Sequence, residues 1–104
     1  MRTACGKRAH LKTILAVGEL GSYENVYAAS MACMMAGADF IKTSTGKEST
    51  VNATLPVSVV MCRAISDFYR LRGVKVGFTY PSPLFLRISL FFIVVLLLQV
   101  SFFD

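Results

Sequence analysis

Short, almost unbroken apolar runs alternate with two longer stretches of helical periodicity, and this alternation constrains the chain more than any other feature. The first run is Thr13-Ile14-Leu15-Ala16-Val17, within Leu11 to Glu19. It suits a strand covered on both faces, as in a parallel sheet. Gly18 and Gly21 punctuate its end. Ser22 is placed to cap a helix, with Glu24 in the first turn to complement the helix dipole. Val26, Ala29, Ser30, Cys33, Met34 and Gly37 then recur at helical spacing, which predicts a helix from Tyr23 to Ala36 with Gly37 where a left-handed C-cap is wanted. Met31, Met34 and Met35 fall in this helix and read as core packing.

Strand character returns from Ala38 to Ser44. Alternation puts Phe40, Lys42 and Ser44 on one face and Ile41 and Thr43 on the other. A polar turn, Thr45-Gly46-Lys47-Glu48-Ser49, follows. Asn52 or Thr54 can cap a second helix, with Pro56 in its first turn, where a missing N–H costs nothing. Its apolar stripe is Val57, Val60, Met61, Ala64, Ile65 and Phe68, and Gly73 closes it. Val74 to Phe78 is a third short strand. The order strand–helix–strand–helix–strand predicts an α/β fold with parallel strands and right-handed crossovers. Two architectures accommodate it, an open doubly wound sheet and part of a (β/α)8 barrel. A closed barrel needs eight strands and roughly 250 residues; this chain offers three such strands.

A chain of 104 residues is one small domain or part of a larger one. Its formal net charge is +5, with basic residues clustered at Arg2, Lys7, Arg8 and Lys12 and again from Arg63 to Lys75. No run of four basic residues occurs, and no aromatic residues interleave with them as a base-stacking surface would require, so nucleic acid is not the expected partner. The positive balance fits an anionic small molecule. The three cysteines, Cys5, Cys33 and Cys62, form no CxxC and no even set. That argues against a disulfide framework and for a reducing, cytoplasmic compartment, with Cys33 and Cys62 read as core residues. The N-terminus does not have the pattern of a signal peptide.

The character changes after Phe78. Tyr80-Pro81-Ser82-Pro83 is a breaker, and from Leu84 to Phe103 16 of 20 positions are apolar. The run shows neither helical nor strand amphipathicity. About 20 apolar residues suffice to cross a bilayer as a helix, and Arg87 near one end can snorkel. Residues 80–104 therefore read as a hydrophobic tail, either a transmembrane anchor or a segment foreign to the fold of residues 1–79.

Lys42 carries the chemistry. A lysine amine held in a low-dielectric interior loses ammonium stability and becomes a nucleophile toward carbonyls. Lys42 lies near the C-terminal end of a parallel strand, the catalytic end in α/β barrels. Three hydroxyls (Thr43, Ser44, Thr45) and a Gly-Lys turn follow it. On spacing alone the competing reading is a strand-end lysine that snorkels to solvent. Asp39 is an available ion-pair partner, although alternation turns it to the opposite side.

Phe40-Ile41-Lys42-Thr43-Ser44-Thr45-Gly46-Lys47 resembles the signature around the Schiff-base lysine of the class I deoxyribose-phosphate aldolases. Ala36-Gly37-Ala38-Asp39, Val51-Asn52-Ala53-Thr54, Leu11-Lys12-Thr13-Ile14-Leu15 with Gly18-Glu19-Leu20, and Val76-Gly77-Phe78 are also similar to that family. The resemblance covers about Ala4 to Phe78. It implies a (β/α)8 barrel, of which residues 1–79 would be a part. It also implies an aldehyde-lyase of deoxyribonucleotide catabolism. The enzyme cleaves 2-deoxy-D-ribose 5-phosphate reversibly to D-glyceraldehyde 3-phosphate and acetaldehyde, with no metal and no organic cofactor. Lys42 would form the imine, Gly46 and Lys47 would hold the substrate phosphate, and Thr43, Ser44 and Thr45 would line the pocket.

The family continues Gly-Phe-Lys-Pro-Ala-Gly-Gly where this chain reads Gly77-Phe78-Thr79-Tyr80-Pro81-Ser82. The second active-site lysine, which lowers the pKa of the first by like-charge proximity, falls at Thr79, and the paired glycines are absent. With three of eight strands, activity below that of the whole enzyme is expected. The alternative expectation is a catalytically dead fragment that is membrane-anchored or binds a partner.

Overall fold

The computed structural model describes residues 1–45 and 54–79. A four-residue helix, α1 (Arg2–Cys5), precedes strand β1 (Lys12–Ile14). Helix α2 (Tyr23–Met35), strand β2 (Phe40–Lys42), helix α3 (Leu55–Arg72) and strand β3 (Gly77–Thr79) follow. The three strands form one parallel sheet in the order β1-β2-β3. This is the expected α/β pattern, and α1 is a helix that periodicity did not foretell. The breaker at 80–83 and the apolar stretch from Leu84 to Phe103 lie outside the described residues. Among the described residues no helix is long and apolar enough to cross a membrane.

Local chemistry sets the helix ends. The Ser22 hydroxyl accepts the Asn25 N–H at 3.2 Å, and Glu24 stands in the first turn of α2. The Thr54 hydroxyl accepts the Val57 N–H, and Pro56 occupies the first turn of α3, where no helical carbonyl awaits its nitrogen. Gly73 ends α3 with φ of 68°, and its N–H bonds the Tyr69 carbonyl at 2.7 Å. Gly37, at φ of 98°, carries the chain from α2 toward β2.

The strands are shorter than the apolar runs predict. β1 ends at Ile14 because Ala16 adopts a left-handed φ of 51°, after which Val17–Glu19 form a 3-10 turn. Pairing nonetheless continues past the regular strand: the Leu15 N–H bonds the Lys42 carbonyl at 2.9 Å and the Val17 N–H bonds the Thr43 carbonyl at 3.0 Å. In the third run, Val74 is exposed, Val76 is buried, and the strand itself begins only at Gly77.

The core lies between the sheet and α2 and α3. Val26 and Met34 from α2 join Met61, Ala64 and Phe68 from α3, with Ile41 from β2 and Leu15, Val17, Ala38 and Val76 from the strand margins. Burying such a side chain stabilises the fold by about 1.5–3 kcal/mol. The buried edge of α3 is Ser58, Met61, Ala64 and Phe68, so the stripe is turned slightly from the apolar positions: Val57, Val60 and Ile65 are only partly buried. Ser58 is tolerated inside because its hydroxyl donates to the Thr54 carbonyl at 3.0 Å, and Ser30 does the same to the Val26 carbonyl at 2.7 Å. Met35 stands exposed, and Cys33 and Cys62 are half-buried free thiols rather than full core members.

One buried-edge polar network ties the two helices. The Tyr27 hydroxyl donates to Asp67 Oδ2 at 2.6 Å, while Asp67 Oδ1 accepts from Arg70 at 2.5 Å and lies 3.3 Å from Arg63 Nε. Burial pushes the Asp67 carboxyl up, but the Tyr27 hydroxyl and the two arginines outweigh it and hold the group below its usual range. The same bond, accepted by an anion, raises the Tyr27 phenol.

Candidate active site

Parallel register decides which side chains share a surface, because directly paired residues point the same way. Lys12 pairs with Phe40, which pairs with Gly77; Ile14 pairs with Lys42, which pairs with Thr79. Two rows therefore line the face of the sheet opposite the one occupied by Ile41. Ile41 is wholly buried against the helices, whereas Ile14 on the opposite face is 48% exposed. Lys42 belongs to this second face, as alternation predicts.

Lys42 sits at the end of β2, flanked by Ile14 and Thr79. Its side chain is half-buried rather than sealed. The sealed interior expected around Lys42 is thus not what the structure gives it. Asp39 is not its partner. The Asp39 carboxylate accepts the Leu11 N–H at 2.7 Å and pairs with the Arg2 guanidinium, and these two contacts, in that order, hold it below the usual carboxylate range.

The three hydroxyls after Lys42 part company. Thr43 and Ser44 are completely buried, and neither Thr43 Oγ1 nor Ser44 Oγ has a hydrogen-bond partner among the described residues. Thr45 is exposed. Gly46 and Lys47, the expected phosphate site, lie outside the described residues, as does Asn52, the alternative cap. At the level of Lys42 the backbones are held firmly, with the Thr43 N–H bonded to the Thr79 carbonyl at 3.3 Å.

Two features of the same sheet escaped the sequence reading. Lys12 shares the face of Lys42, one strand over, with its ammonium 5.7 Å from the Phe40 ring centroid. Strand alternation applied to β1 as well as β2 would have found it. The other is the clamp formed by α1. Arg2 donates to the carbonyls of Gly37 and Ala9 (at 3.3 and 2.7 Å) as well as to Asp39. Those partners lie up to 37 residues away, and no local signal announces them.

Chemically, the arrangement offers a half-buried amine at the end of a parallel strand, with the buried Thr79 hydroxyl at the paired position on β3. An amine so placed can add to a carbonyl, and unsatisfied hydroxyls can orient polar groups of a bound molecule. Among the described residues, no three His, Cys, Asp or Glu side chains gather as a metal site.

Comparison with known proteins agrees with the residue pattern. Over 77 residues the chain is 73% identical to a protein of Bos taurus and 70% identical to one of Homo sapiens, each described as "Deoxyribose-phosphate aldolase". These matches cover 74% of this chain and 24% of each relative. A protein of Agrobacterium fabrum with the same description is 41% identical over 93 residues, covering 86% of this chain and 36% of the relative. No protein-family model and no solved structure matches. The chain spans about a quarter of the length of the mammalian relatives. Over the 77 matched residues, this chain is similar to a segment of proteins described as deoxyribose-phosphate aldolase.

Proposed function

We infer that this segment carries the imine-forming strand of a 2-deoxy-D-ribose 5-phosphate aldolase and that Lys42 is its nucleophile. The observation that supports this most is the position of Lys42. It stands at the C-terminal end of a central parallel strand, on the face turned away from the helices. Helices on one side of strands in the order β1-β2-β3 fit an arc of a (β/α)8 barrel, in which that end of the strands is the catalytic one.

In this reading the Lys42 amine adds to the aldehyde carbon of the open-chain sugar phosphate, and loss of water leaves an iminium. The iminium then takes the electron pair of the breaking C2–C3 bond as the C3 hydroxyl gives up its proton. Glyceraldehyde 3-phosphate departs, and the enamine left on Lys42 is protonated and hydrolysed to acetaldehyde. The protein supplies an electron sink through its own side chain. Gly46 and Lys47 would hold the phosphate with backbone N–H groups and an ammonium. Thr43, Ser44 and Thr45 would line the pocket, Ser44 being the one that alternation sets on the face of Lys42. The substrate is a phosphorylated sugar of deoxyribonucleotide breakdown, the compartment is cytoplasmic, and no cofactor enters.

The test is reductive trapping. The chain is incubated with acetaldehyde and borohydride and digested, and the modified lysine is located by mass spectrometry. An ethyl adduct concentrated on Lys42 and lost in Lys42→Ala is expected. Adducts spread evenly over Lys7, Lys12, Lys42 and Lys75 would show that Lys42 has no special reactivity and would sink the assignment.

A further inference from the structure

On the face that carries Lys42, the neighbouring position on β3 is Thr79, and on β1 it is Ile14. Ile14 offers no polar group. Thr79 Oγ1 is shut off from solvent and has no hydrogen-bond partner among the described residues. A buried hydroxyl that bonds to nothing weakens a fold, and valine, nearly the same shape, would occupy the site without that penalty. Thr79 therefore carries a polar atom that the resting fold does not use, in the position directly beside the candidate nucleophile.

We propose that Thr79 is a positioning residue for Lys42, its hydroxyl hydrogen-bonding the group that forms on the Lys42 nitrogen during condensation with a small aldehyde. This rests on the reading of Lys42 as the imine-forming lysine. In the condensation the nitrogen lone pair forms a bond to the carbonyl carbon, and the proton lost from nitrogen passes to the carbonyl oxygen, giving a carbinolamine. A proton from solvent then joins the carbinolamine oxygen, the C–O bond breaks with its electron pair staying on oxygen, water leaves, and the iminium remains. Thr79 keeps its own proton throughout. Its hydroxyl gains a partner only when the adduct is present, and an interaction made in the adduct but not in the free chain accelerates the step that forms it.

The experiment compares Thr79→Val and Thr79→Ser in the full chain. Acetaldehyde with borohydride is the probe, and adduct at Lys42 is followed against time and pH beside thermal unfolding. Thr79→Val is expected to slow trapping about ten- to a hundredfold, the loss of one hydrogen bond to a reacting group, while its unfolding midpoint stays level or rises. Thr79→Ser, which keeps the hydroxyl, is expected to trap within about threefold of the unaltered chain, since only a methyl group is lost. Labelling of Lys42 at an undiminished rate in Thr79→Val overturns the positioning role and leaves the Lys42 assignment standing. A midpoint that falls in step with trapping assigns Thr79 a purely structural part and also overturns it. Absence of label on Lys42 in the unaltered chain overturns both readings together.

Discussion

The ring of Phe40 occupies the space that a side chain at Gly77 would need: a Cβ there would clash with Phe40 Cδ1 and Cε1. The two residues are register partners on β2 and β3, in the row beside that of Lys42. Gly77 is thus a glycine because of close approach across the sheet. Gly77→Ala is expected to cost about 1–3 kcal/mol, the usual range for overpacking. Denaturant unfolding of Gly77→Ala, Phe40→Ala and the double variant checks this. The penalty of the alanine should shrink when Phe40 is already truncated; a penalty of equal size in both backgrounds would show that the ring is not its cause.

Met61 is fully buried where α3 meets the sheet, while Leu71, near the end of the same helix, is 72% exposed. Met61→Ala leaves a cavity among Ile41, Val26 and their neighbours and is expected to destabilise by about 2–5 kcal/mol. Leu71→Ala should stay within about 0.5 kcal/mol, since it opens no cavity. Urea titration distinguishes them, and comparable losses at the two sites would contradict the placement of the core.

Asp39 joins α1 to the start of β2, and its carboxyl is held below the usual range by the Leu11 N–H and by Arg2. A depressed carboxyl contributes stability above its unfolded value, near 3.9, and that contribution is lost as pH falls through the lower folded value. The unfolding midpoint should accordingly decline on acidification below about pH 5. Asp39→Asn should lower it at neutral pH and flatten the acid limb. Thermal scans across this range test the point, and an acid limb as steep in Asp39→Asn as in the unaltered chain would place the effect elsewhere, with Asp67 the next candidate.

Burial pushes the Cys62 thiol up to about 12. At pH 8 the thiolate fraction is then on the order of one in ten thousand, four pH units below that value. In a Cys5→Ser/Cys33→Ser chain, a disulfide reagent should react slowly with the native protein and at once after denaturation. Rapid reaction of the folded chain would mean that Cys62 is more open than its place on α3 implies.

Lys42 and Thr79 stand side by side where the family pattern has two lysines. Thr79→Lys exchanges a hydroxyl for a second ammonium at that position, and like charge favours the neutral amine of its neighbour. Trapping of acetaldehyde on Lys42 at neutral pH should rise, by about tenfold for each 1.4 kcal/mol of repulsion. The pH profile of trapping is the measurement. A profile that does not move toward lower pH would show that the two side chains do not sense each other.

Much of this chain follows from its sequence because the decisive interactions are local. The order of the elements, the caps at Ser22 and Thr54, the stop at Gly73 and the facing of Lys42 opposite Ile41 all depend on residues within about four positions of each other. The family signature around Lys42 is local in the same sense. What the tertiary structure decided involves partners far apart in the chain. Register alone makes Ile14 and Thr79 the neighbours of Lys42 and sets Gly77 under Phe40. Packing of α2 on α3 turned Ser58 inward and left Val57 partly outside, and the early strand end at Ala16 comes from a left-handed turn that the apolar run does not reveal. The clamp of Arg2 on Asp39 spans 37 residues. Such contacts are chosen by the summed fit of whole elements, and no single stretch of sequence carries them.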